Sequence, residues 1–99
     1  MSSWKTGQIR YETEQIRCEN CDFPILMKFL IYFDAEKYPE IIQRILKVDF
    51  RIGCPVCGWT EPYNREIEVI SKKGEFIIET GWEKDKIRKF FKEYGLLKE

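Results

Sequence analysis

Cysteine occurs at only four positions in this 99-residue chain, and the four fall into one repeated spacing: Cys18-Glu19-Asn20-Cys21 and Cys54-Pro55-Val56-Cys57. A C-x-x-C unit in a tight turn aims two thiolates at one point, and two such units complete a tetrahedral shell around a zinc ion. For that shell to close, the 32 residues between Cys21 and Cys54 must leave the site and return to it. That length accommodates a strand, a helix and a second strand. Gly53 and Gly58 flank the second pair and permit the backbone angles of a metal knuckle, whereas Asp22 stands where the first pair would be expected to carry a glycine.

Other readings of the same four residues stay open at this level. They can be small apolar core residues, two disulfides in one of three connectivities, or a thiol redox centre at Cys54-Pro55-Val56-Cys57. Iron also fits a four-sulfur shell. The expectation is one structural zinc held by Cys18, Cys21, Cys54 and Cys57.

The chain contains no histidine, which removes histidine-based triads, imidazole bases and mixed Cys/His zinc sites together. A catalytic zinc generally keeps an open position for water, and four cysteines leave none. Carboxylate pairs such as Glu66 and Glu68 sit at strand spacing, where the charged positions form the wet face. The expectation is therefore a protein that is not an enzyme.

A length of 99 residues and 43% hydrophobic residues describe a chain that buries one core. We expect one domain over residues 1–99, with 1–7 as a loose lead-in. The 17 basic residues are matched by 17 acidic ones, so no global field draws in nucleic acid or an anionic membrane. No apolar run reaches the roughly 20 residues of a membrane span, and Met1 to Arg10 lacks a secretion signal, so a cytoplasmic location is expected. The abundance of Lys, Glu and Ile, with little Asn or Gln, is a bias of proteins from hot environments.

Periodicity supplies the elements. Gln8 to Arg17 alternates, with Ile9, Tyr11 and Thr13 on the inner side of a strand, and Phe23 to Phe33 reads as a buried strand begun by Pro24. Pro39 opens a helix whose Ile41, Ile42, Ile45 and Leu46 recur at helical spacing and which ends near Val48. Asp49 to Ile52 is a brief strand. Glu66–Ile70 and Glu75–Thr80 pair across the turn Ser71-Lys72-Lys73-Gly74. Thr80-Gly81-Trp82-Glu83 has capping-box spacing for a last helix with Ile87, Phe90, Phe91 and Tyr94 as its apolar stripe, closed by Gly95. The fold class expected is α+β: a zinc-ribbon-like antiparallel β-sheet with an inserted short helix and a C-terminal helix.

Between Gln15 and Thr80 the chain resembles the CpXC family of prokaryotic proteins. The likeness is carried by Ile16-Arg17-Cys18, by the helix from Tyr38-Pro39-Glu40-Ile41-Ile42 through Leu46, by Cys54-Pro55-Val56-Cys57-Gly58 and by the hairpin that follows. It implies metal ligands at the four cysteines and names no substrate.

Two kinds of partner are compatible with such a domain. Lys84, Lys86, Arg88, Lys89 and Lys92 crowd the last helix, and Trp59 and Tyr63 follow the second knuckle, so a nucleic-acid or transcription-associated binding module is one expectation. A protein-interaction or assembly module, including a homo-oligomer, is the alternative, with Trp82, Phe90, Phe91 and Tyr94 as anchors.

Overall fold

The computed structural model describes residues 8–97, and the expected loose lead-in at 1–7 lies outside them. Eight elements follow in order: β1 (Ile9–Arg17), β2 (Pro24–Asp34), α1 (Pro39–Lys47), β3 (Arg51–Gly53), β4 (Thr60–Pro62), β5 (Glu66–Ser71), β6 (Gly74–Glu79) and α2 (Lys84–Glu93). Four strands form a sheet in the order β1-β2-β5-β6, and β3 pairs with β4 in a separate two-stranded sheet. The fold is α+β, as expected. Its larger sheet is mixed, because β2 and β5 run parallel at Tyr32–Asp34 while its other pairs are antiparallel. A parallel pair needs a crossover. Here α1 and the small sheet supply it.

Local chemistry accounts for the element ends. Asp34 Oδ1 accepts hydrogen bonds from the amides of Glu36 and Lys37, and Pro39 then enters α1 where its missing N–H costs nothing. Gly95 takes a left-handed φ of 70°. Its amide donates to Lys92 O and that of Leu96 to Phe91 O, which is the Schellman closure of α2.

The expected capping box does not form. Glu83 is the N-cap of α2 and makes no side-chain cap hydrogen bond. Thr80 is buried instead, its hydroxyl donating to Tyr63 O and accepting from the Arg65 amide. The spacing was right for a cap, but those two backbone groups claim the hydroxyl first. Replacing Thr80 by valine leaves both without that partner, and we expect a loss of about 2–3 kcal/mol in chemical denaturation.

Apolar packing divides into two clusters. The larger contains Phe33, Ile41, Ile42, Ile45, Ile67, Val69, Phe76, Ile78, Ile87 and Phe91, and joins α1 and α2 to the main sheet. The smaller consists of Cys18, Ile25, Ile52 and Cys54, with Ile16, Met27, Trp59 and Tyr63 packed on it.

The β1–β2 ribbon connects the two clusters. An extra residue, Ile31, interrupts its register between Arg10 and Tyr11. Ile9 packs on the larger cluster, but Tyr11 and Thr13 are exposed, while Glu14 and Ile16 are half-buried. The alternating pattern misjudged this stretch because most of β2 lies outside its pairing with β5, and here the smaller cluster takes up Ile16. Glu12 and Glu14 meet the Arg65 guanidinium, which lies 4.0 Å from the Phe29 ring centroid.

Candidate metal centre

Both cysteine pairs sit in turns of one design. In the first, the Cys18 amide donates to Phe23 O (3.0 Å) and the Asp22 amide to Cys18 O (2.8 Å). In the second, Cys54 N donates to Trp59 O (2.8 Å) and Gly58 N to Cys54 O (3.1 Å). The residue after each pair is left-handed, with φ of 63° at Asp22 and 79° at Gly58.

Aspartate therefore fills the glycine position of the first turn. It is one of the few side chains that enter this region routinely, and Arg17 Nη1 holds it by donating to its carbonyl (3.1 Å) and its Oδ2 (3.4 Å). That ion pair is exposed and contributes little. Asp22→Gly is expected to be neutral or to stabilise by up to about 1 kcal/mol, read as a shift of the urea midpoint at unchanged slope.

The turns bring four sulfurs together. Cys18 Sγ lies 3.5 Å from Cys57 Sγ, and Cys21 Sγ lies 3.6 Å from Cys54 Sγ. All four ligand atoms lie within 4.8 Å of one another. A regular tetrahedron with Zn–S bonds of about 2.3 Å has edges of about 3.8 Å, so the cluster has the dimensions of one metal shell. The four thiols are unbridged. Cys18 Sγ also accepts from the amides of Asn20 and Cys21, both at 3.4 Å, the backbone support that a thiolate ligand draws on.

The thiols of Cys57 and Cys21 are shifted in opposite directions. The Cys57 thiol is lowered to about 6, first by the Asn20 side chain and then by the Trp59 backbone. Cys21 is pushed up to about 12: the Phe23 backbone pulls it down, but desolvation and the neighbouring sulfurs outweigh that pull. Four mutually close thiolates need a cation to ionise together, and a divalent ion held between them would supply it. Nearby, Glu61 is raised by desolvation and then by the Glu19 carboxyl.

The residues named for nucleic acid are dispersed in their roles. Lys84 Nζ donates to Ile45 O and Val48 O at 2.6 Å each, satisfying carbonyls at the end of α1, and lies over Phe50. Lys86 lies over the Trp82 ring, and Arg88 pairs with Asp85. Lys86, Lys89 and Lys92 are exposed. Trp59 is half-buried against the smaller cluster, and Tyr63 meets Phe29 and Phe50 edge-on.

Among the other named residues, Phe91 and Ile87 are fully buried, and Phe90 and Tyr94 flank Phe76 at 6.2 and 4.1 Å between centroids. Glu66 and Glu68 lie on β5, exposed and half-buried respectively. Asn20 and Arg65 contribute beyond the residues that the motifs single out. Asn20 was legible from its place inside the first pair, but Arg65 carried no local signal for its reach to β1.

Among the described residues, no helix is long and apolar enough to cross a membrane. No protein-family profile, curated protein or solved structure matches the chain.

Proposed function

We propose that this chain is a non-catalytic binding module whose fold is completed by one structural zinc ion on Cys18, Cys21, Cys54 and Cys57. The convergence of four unbridged sulfurs within 4.8 Å carries this reading. When bound, the ion holds two turns that lie far apart in sequence, and thiolate softness favours zinc over oxygen-seeking cations. The resemblance to the CpXC family supports the same ligand set through its two cysteine pairs and the proline-led helix between them.

For the partner, a protein surface fits the geometry better than a nucleic acid. The rings of Trp59 and Tyr63 are engaged by their own chain, and Lys84 is committed to α1. Exposed apolar side chains include two beside the cysteines, Phe23 after the first pair and Val56 inside the second, with Leu26 further along β2 and Tyr11, Val48 and Ile77 elsewhere. The nucleic-acid reading retains Lys86, Arg88, Lys89 and Lys92 as its cationic face.

Fluorescence anisotropy with a mixed-sequence single-stranded DNA probe in low salt separates the two. The protein-partner reading predicts no saturable binding up to about 10 µM, whereas binding that falls steeply with added salt would favour the nucleic-acid reading.

A further inference from the structure

We propose that Cys21 and Cys57 form the oxidisable edge of the metal centre, so that a small neutral peroxide joins these two, rather than either C-x-x-C pair, in the first disulfide. The inference rests on the zinc reading above. It follows from how the four ligands divide by exposure. Cys18 and Cys54 are buried at 2% and 5% exposure, while Cys21 and Cys57 are exposed. Each turn thus contributes one inner and one outer sulfur, and the outer two come from opposite turns. A disulfide within either C-x-x-C pair requires a buried sulfur, and the one between Cys21 and Cys57 does not.

The surroundings keep that edge accessible. Glu19, Asn20, Pro55 and Gly58 are exposed, Val56 is 62% exposed, and a methyl group placed on Gly58 would meet nothing within 4 Å. Glu19 and Glu61 add negative charge beside a shell that four thiolates already make anionic, which discourages anionic oxidants. Hydrogen peroxide, small and neutral, reaches it.

The chemistry balances. One outer thiolate attacks a peroxide oxygen, the O–O bond breaks, and a sulfenic acid and hydroxide result. The second outer thiolate attacks the sulfenic sulfur, forming the S–S bond and expelling a second hydroxide. Two thiolates have lost one electron each and one peroxide has gained two. Cys18 and Cys54 alone would no longer hold a zinc ion against solvent, and their sulfurs take up protons. The two turns stay joined, because the new bond connects them as the metal did.

The test uses the wild-type chain, with zinc content measured first. Hydrogen peroxide is then added at up to one equivalent, zinc release is followed with a chromogenic chelator, free thiols are blocked with N-ethylmaleimide, and disulfide-linked peptides are identified by mass spectrometry. The expected first product is Cys21–Cys57, in at least about tenfold excess over any other pairing because access sets the rate, with one zinc released per disulfide. Any first disulfide that includes Cys18 or Cys54, the close cross pairs Cys18–Cys57 and Cys21–Cys54 among them, or oxidation that releases no zinc, would overturn the proposal. A chain that carries no zinc at the outset overturns the underlying reading as well, and the initial elemental analysis identifies that case.

Discussion

Stripping the metal with a chelator, or replacing Cys57 by serine, is expected to unfold one end of the molecule while the other end remains folded. The two packing clusters set this division. Among the described residues the smaller has only four buried members, and two of them are the ligands Cys18 and Cys54. Its sheet consists of β3 and β4, three residues each, with all of β4 exposed. A two-stranded ribbon of that length does not persist in water without a further hold. The larger cluster contains none of the four cysteines.

Metal binding to such sites is folding free energy, on the order of 10 kcal/mol in small zinc-dependent peptides. Even a third of that, lost from the cysteine end, exceeds what a ribbon of this size holds without the metal, so this end unfolds while the rest of the chain melts separately. Hydrogen exchange should show protection vanishing from residues 51–63 and from the Cys18–Phe23 turn, while α1, β5, β6 and α2 keep theirs. Unchanged protection around the cysteines after chelation would show that the metal does not hold this end.

Truncation in the larger cluster should give the opposite pattern. Phe91 is 0% exposed and meets the Phe76 ring at 5.9 Å between centroids, where α2 lies on β6. Phe91→Ala removes a fully buried ring, and such changes cost about 3–5 kcal/mol once the cavity is included. Where the variant remains folded, it should still bind one zinc per chain, because none of its lost contacts involve the cysteine turns. Denaturant midpoints measured beside zinc content test both parts. A loss of metal in folded Phe91→Ala would mean that the two clusters are energetically one.

What could be read in advance follows the range of the interactions. The Ser71–Gly74 hairpin, the proline start of α1 and the glycine end of α2 are local, and each is visible in a few consecutive residues. The metal centre was legible for the same reason: each half is a four-residue motif, although the partnership of the halves is not local. Strand β4 carries no such signal, because Thr60-Glu61-Pro62 is short, exposed and without alternation. The parallel contact of β2 with β5 depends on topology, and no neighbouring residues encode it.

Thr80 and Lys84 show how local signals mislead. One has a cap's spacing but is taken by the Tyr63–Arg65 backbone, and the other belongs to a basic run but serves the end of α1. In both cases a buried or partly buried backbone group had to find a partner, and the nearest suitable side chain came from a distant part of the chain.

Whether four thiolates of one chain enclose one zinc ion is decided by metal analysis of the purified protein combined with zinc-edge X-ray absorption. One zinc per chain is expected, with four sulfur neighbours at about 2.3 Å and no nitrogen or oxygen in the shell. A protein without bound metal, or a shell in which oxygen or nitrogen replaces any of the four sulfurs, would contradict it.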